Sequence, residues 1–260
     1  MAFIIAVANQ KGGVGKTTTT ANLGAALARR GRGVLLVDMD PQGNLTSAVG
    51  VSKSTPQTVA DALLDHRTAL PAVRIEPSVQ TEHGTGRLDV VPATLALATA
   101  EAALMNKLGR EQRLRDQLGR IDASYDVVLI DTPPSLGLLT INALVAANFV
   151  VIPTEARFFS LQGLQMIEES IQEVLYLNPK LQVLGILLSK LDRRLREERQ
   201  VADYVRERWG GRVFEAEIRT SSKVLEAGSA GASVFAYAGA ERATDAYAKL
   251  AEEVIDRGQI

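Results

Sequence analysis

Short, unbroken apolar runs recur along the chain at 3–8, 34–38, 88–92, 126–131, 149–153, 183–189 and 212–218. Most lack the alternation of a half-exposed strand. They read as strands covered on both faces, the signature of a parallel sheet. Helical patterns fall between them, near 18–30, 57–65, 101–121, 137–147, 160–177, 195–209 and 240–257. Strand alternating with helix predicts an α/β fold: a doubly wound, mostly parallel sheet with helices on both faces. In such a sheet the ligand sits at the C-terminal ends of the strands. The weakest pattern covers 66–87, which reads as loop. No Pro/Gly/Ser-rich linker divides the 260 residues, so one domain over 1–260 is expected.

Three of the strands end in residues that carry chemistry. After the first comes Lys11-Gly12-Gly13-Val14-Gly15-Lys16-Thr17-Thr18, which opens a helix-prone segment. Strand, glycine loop and helix start form the context of a phosphate-binding loop, in which successive N–H groups and the helix N-terminus converge on phosphate oxygens. Lys16 would neutralise the β- and γ-phosphates and the Thr17 hydroxyl would sit on Mg²⁺. A plain glycine turn beside a lysine is the bland alternative, and the flanking strand and helix argue against it. The usual spacing wants a glycine at position 10; this chain has Gln10, followed by a second lysine, Lys11.

The second strand runs into Asp38-Met39-Asp40-Pro41-Gln42-Gly43. Asp38 is better placed for the Mg²⁺ shell, and Asp40, further into the loop, for orienting an attacking water. An Asx turn capping the strand is the alternative. The fourth strand ends in Leu129-Ile130-Asp131-Thr132-Pro133-Pro134, the Walker B arrangement, with Asp131 reaching Mg²⁺. The Pro-Pro pair would stiffen a loop that senses the γ-phosphate.

Composition removes several other classes. Cysteine is absent, which excludes disulfides, thiolate nucleophiles and Cys-ligated clusters. The two histidines, His66 and His83, fall in polar sequence and read as exposed loop residues. There is no charged n-region with a cleavage signal, and no apolar run of membrane-spanning length, so a cytoplasmic protein is expected. A net charge of −1 restricts any nucleic-acid surface to a local patch.

Lys11 with Lys16, Asp40 and Asp131 resemble the ParA/Soj/MinD family of deviant Walker A ATPases, and the resemblance extends over essentially the whole chain. It implies ATP and Mg²⁺ as ligands and an ATP-sandwich homodimer in which Lys11 reaches the partner's phosphates. It further implies that Lys16, Thr17 and Asp131 hold nucleotide and metal while Asp40 positions the hydrolytic water. Within the family, the absent cysteines argue against the nitrogenase iron-protein branch. The end of the chain, from Ala251 to Ile260, is too acidic and too poor in bulky apolar residues for a MinD-like membrane helix. The chain opens directly on its first strand, which leaves no room for the helix-turn-helix of larger plasmid partition ATPases. Chromosome or plasmid partition, with non-specific DNA and a ParB-like centromere-binding protein as partners and a nucleoid-associated location, is the implied role. A positioning ATPase for a protein cargo, or a nucleotide-switched regulatory module with negligible turnover, are the alternatives.

Between Lys190 and Lys223 arginines alternate with acidic residues, which by itself describes a solvated helix face with ion pairs. In similar proteins cations in this region hold DNA. Arg194 and Lys223 fall at or near those places, with Arg193, Arg196 and Arg219 as further candidates. Ser189-Lys190-Leu191-Asp192 resembles the base-reading motif of related GTPases, so GTP stays open on this motif alone. Relatives carry Pro and Asn near the adenine where this chain has Arg219 and Ser221, and these two are the base-contact candidates. In Glu155-Ala156-Arg157-Phe158-Phe159-Ser160, Arg157 replaces a commonly acidic residue, and Phe158 and Phe159 read as packing.

Overall fold

The structure is a computed structural model and describes residues 2–75, 79–81 and 84–260; His83 lies outside them. Its frame is a parallel sheet built from β1 (Phe3–Val7), β2 (Gly33–Asp38), β5 (Gly84–Val91), β6 (Val127–Asp131), β7 (Phe149–Glu155), β8 (Gln182–Leu191) and β9 (Val213–Arg219). These stand in the order β5-β2-β6-β1-β7-β8-β9. Two short strands, β3 (Val73–Arg74) and β4 (Val79–Thr81), pair antiparallel with β5. Every residue of β2 and β6 is buried, as unbroken apolar runs require when helices cover both faces.

Alternate residues of each strand feed two separate cores. Leu35, Val37, Val128 and Ile130 face α3 (Val59–Leu64), α4 (Ala96–Leu104), α5 (Arg113–Leu118), α6 (Leu138–Ala146), α7 (Phe158–Val174) and α8 (Arg196–Trp209). Val34, Leu36, Val127 and Leu129 face α1 (Lys16–Arg29), α2 (Asn44–Ala48), α9 (Ser222–Ser229) and α10 (Glu241–Gly258). The alternation comes from the two-residue period of the pleat.

The doubly wound fold expected from the sequence is therefore present. Two details differ. The stretch 101–121, read as one helix, is α4, a break, a single 3₁₀ turn and α5; the break ends at Gly109, whose backbone is left-handed (φ 64°). The stretch 66–87, read as loop, contains β3, β4 and the first half of β5. That half carries Gly84, Gly86 and polar neighbours, so its apolar run starts only at Leu88. His66 is exposed in a turn, as expected.

The register aligns the site. Asp131 at the end of β6 pairs with Val7 of β1 on one side and Asp38 of β2 on the other. The phosphate-loop strand and both acidic strand ends therefore finish on one row.

Candidate functional site at the strand ends

The glycine loop leaves β1 and is tied down on three sides. The Asn9 amide donates to the Pro153 carbonyl at 2.8 Å, and its oxygen accepts the Lys11 N–H at 2.9 Å. Gln10, in the place of the missing glycine, donates to Ser170 Oγ on α7 at 2.6 Å, so the departure from the usual spacing anchors the loop to a helix. Beneath it, Ser189 Oγ shares its proton between the carbonyls of Val14 (2.7 Å) and Thr154 (3.1 Å). Gly13 and Gly15 have φ of 78° and 87°, the left-handed region that side chains avoid. That backbone turns the N–H groups toward the mouth just ahead of α1.

Lys16 is buried, and its ammonium donates to the Lys11 carbonyl at 3.2 Å. Burial pushes its pKa down, while the carboxylates of Asp131 and Asp40 pull it back up. Thr17 Oγ1 donates to Asp131 Oδ2 at 2.7 Å, so the hydroxyl and the Walker B carboxylate meet. Asp131 is fully buried; desolvation and the nearby Asp38 charge raise its pKa well above the ordinary carboxylate range, against the opposing Thr17 bond and Lys16 charge.

Asp38 stands beside Asp131 but faces inward. Its Oδ2 accepts both the N–H (2.8 Å) and the hydroxyl (2.7 Å) of Thr46, and its Oδ1 accepts the Asp40 N–H at 3.1 Å. Burial pushes its pKa up to about 6 in spite of these donors. Asp40 is buried as well, with Oδ1 accepting the Gln42 N–H at 2.9 Å. Lys11 lies on the rim, donating to Ser160 Oγ at 3.0 Å and 3.7 Å from Glu155.

A buried ammonium, a helix N-terminus and a hydroxyl–carboxylate pair suit a polyphosphate with a hard divalent cation. Among the described residues no cluster of three or more His, Cys, Asp or Glu could cage a metal by itself. That accords with an ion whose remaining ligands come from phosphate and water.

A family model described as an AAA domain matches residues 2–183. The chain is 42% identical over 260 residues to the sporulation initiation inhibitor protein Soj of Bacillus subtilis, covering 99% of this chain and all of that one. It is 43% identical to the chromosome partitioning protein ParA of Caulobacter vibrioides, over 98% of this chain and 94% of the relative. This chain belongs to the ParA/Soj family of deviant Walker A ATPases. A solved Mycobacterium smegmatis structure, described as cobyrinic acid a,c-diamide synthase with bound ATP analogue and magnesium, superposes with a TM-score of 0.82. The two are 35% identical, over 100% of this chain and 96% of that one.

Seen as a ParA/Soj protein, the chain distributes its remaining candidate residues unevenly. Arg194 has a side chain 90% exposed and grips Asp192 at 2.7 Å, a pairing that holds the Asp192 carboxyl at about 2. Arg196 and Arg219 are exposed. Lys223 pairs with Glu226 at 2.7 Å and lies over the Tyr237 ring. Arg193 shares Glu217 with Arg206. Ser221 is the N-cap residue of α9, close along the chain to Arg219 at the end of β9. The Ser189–Asp192 segment is drawn into the loop's support: Ser189 bonds beneath it, and Lys190 donates to the Gly13 carbonyl. Phe158 and Phe159, read as packing, are instead 68% and 79% exposed on the first turn of α7. Their apolar neighbours Leu161 and Leu164 face the core, whereas the helix start juts over the rim.

Sequence reasoning gave no role to Thr46, Ser170 or Glu155. Thr46 gives no signal in a short helix that was not expected at all. Glu155 does have one: like Asp38 and Asp131, it is an acidic residue closing a buried strand.

Proposed function

We propose that this ATPase partitions DNA: it binds MgATP, dimerises face to face on it, holds non-specific DNA as the dimer, and is switched off by hydrolysis that a ParB-like protein stimulates. The observation that carries the reading is the division of labour between two lysines on one loop, Lys16 buried among Asp131 and Asp40 and Lys11 at the rim. MgATP, when bound, supplies the γ-phosphoryl group and a divalent charge that spreads over the transferring oxygens. Lys16 neutralises that group from within the subunit. Thr17 and Asp131 face the metal, with Asp38 behind them ordering the start of α2. Asp40, one oxygen held by the Gln42 N–H, orients the attacking water with the other. Lys11 supplies a second cation from the opposite subunit, which couples pairing to the presence of a γ-phosphate. The exposed Phe158–Phe159 pair beside it gives that face an apolar rim.

The DNA face in this reading comprises Arg194, Arg196, Arg219 and Lys223, at the ends of β8 and β9 and the starts of the helices after them. Arg193, which pairs with Glu217 as Arg194 pairs with Asp192 and Lys223 with Glu226, is a further candidate. Phosphate contacts of this kind are independent of sequence, as a carrier on bulk chromosome requires. Arg219 and Ser221 are also the candidates for contact with the base. The reading is tested by steady-state ATP hydrolysis with and without DNA and the ParB-like protein. DNA and partner together should raise turnover, and Asp40→Ala should abolish it; hydrolysis unchanged in Asp40→Ala would remove Asp40 from its role.

A further inference from the structure

The carboxylate of Glu155, at the end of β7, is shared among three cations. Lys11 Nζ lies 3.7 Å away, Lys190 Nζ 3.7 Å and Arg157 Nε 3.9 Å, and the Glu155 side chain is only 13% exposed. All three distances are longer than a direct charged hydrogen bond, so the carboxylate is tied to none of them outright. Two of the cations are also held elsewhere, Lys190 by a backbone carbonyl and Arg157 by a second carboxylate. Lys190 donates to the Gly13 carbonyl and sits on a left-handed backbone (φ 52°) whose carbonyl accepts the Thr220 hydroxyl at 2.8 Å. Arg157 reaches the buried Glu198 at 3.6 Å. Among the described residues Lys11 Nζ has the Ser160 hydroxyl, at 3.0 Å, and no second carboxylate or carbonyl partner, so of the three it is the one able to leave.

We infer that Glu155, with Ser160, is a positioning residue that holds Lys11 against its own subunit before pairing, so that each ATP-driven dimer must break two such grips. The inference rests on the reading that Lys11 serves the partner's phosphates. A partly exposed ion pair of this kind shifts an equilibrium by about two- to fivefold, and a two-fold symmetric dimer doubles the exponent, giving about 4- to 25-fold.

The test uses sedimentation velocity with ATP in the hydrolysis-blocked Asp40→Ala protein. Glu155→Gln should lower the dimer dissociation constant by about 4- to 25-fold, and Ser160→Ala should lower it in the same direction by less. In a Lys11→Gln background, Glu155→Gln should change nothing. Unchanged or weaker dimerisation in Glu155→Gln overturns the inference. A gain that persists without Lys11 overturns it too, because the cause would then be the general field of the site. A second readout needs neither nucleotide nor dimer: in ¹³C-lysine NMR of the free protein, the Lys11 side-chain resonance should narrow in Glu155→Gln, and an unchanged line counts against the grip. If the Asp40→Ala protein does not dimerise with ATP, the partition reading fails, while the NMR comparison still decides the grip.

Discussion

Thr46 holds Asp38 in place, and its removal should be felt in both stability and proton balance. Its hydroxyl donates to Asp38 Oδ2 at 2.7 Å and accepts the Ala93 N–H at 2.9 Å, and the residue is wholly buried. Thr46→Val keeps the shape and deletes both bonds. Losing a hydrogen bond to a charged group costs about 1.5–3 kcal/mol, and leaving the Ala93 N–H buried without a partner costs about 1–3 kcal/mol, so roughly 2.5–6 kcal/mol in all. With an m-value of about 3 kcal/mol/M, the urea midpoint followed by circular dichroism should fall by about 0.8–2 M at pH 7.5. Thr46→Ser keeps the hydroxyl, loses one methyl, and should cost about 1 kcal/mol. The deficit of the valine variant should shrink toward pH 5. Burial raises Asp38 from 3.8 to about 6, so the native state binds that proton more tightly than the unfolded chain; this contribution favours folding in acid and is lost as pH rises through about 6. Protonated, Asp38 needs the Thr46 donor less. A valine variant within about 0.3 M of the parent at pH 7.5 would refute the role given to the hydroxyl.

Other consequences follow from the same geometry. Mg²⁺ binding at Asp131 must displace the proton that burial and the neighbouring Asp38 charge favour there, so affinity measured by calorimetry should strengthen as pH rises, with net proton release; a pH-independent affinity would contradict the carboxylate assignment. Reversing Arg194 and Lys223 to glutamate should weaken ATP-dependent binding to an unrelated DNA duplex at least about tenfold and reduce its salt slope by about 2 per subunit, with nucleotide affinity unchanged. Unaltered DNA anisotropy titrations would remove these residues from the DNA face. Gly86→Ala places a Cβ 1.7 Å from the Ala28 carbonyl oxygen of α1, a backbone clash with no soft neighbour to yield. The cost should reach about 3 kcal/mol and lower Tm by about 6–12 °C, and a Tm within about 2 °C of the parent would show that α1 can move off the sheet.

How legible each feature was in the sequence follows from how local its cause is. The strands β1, β2, β6 and β7 are apolar because both faces are covered, so their runs announced them. Edge elements are different. The start of β5 carries Gly84, Gly86 and polar residues, and these hide it among loop sequence. α2 and α9 are short, and their packing rather than their periodicity makes them helices. Lys16, Thr17 and Asp131 were legible because the loop and the Walker B strand end are contiguous motifs, and the register that brings Asp131 beside Asp38 follows from the strand order. The supports were not. Thr46 under Asp38, Ser170 under Gln10 and Ser189 under Val14 act across eight to 175 residues of chain. Phe158 and Phe159 misled because apolar neighbours suggest a core, while the start of a helix can project over a rim.

The account turns on Lys11 acting across a dimer, and one measurement addresses it directly. Sedimentation velocity of the Asp40→Ala protein with Mg²⁺ should show a dimer with ATP and a monomer with ADP. Adding Lys11→Gln should leave ATP binding intact and return the protein to the monomer. A dimer that forms equally well without the Lys11 ammonium would contradict the division of labour between the two lysines.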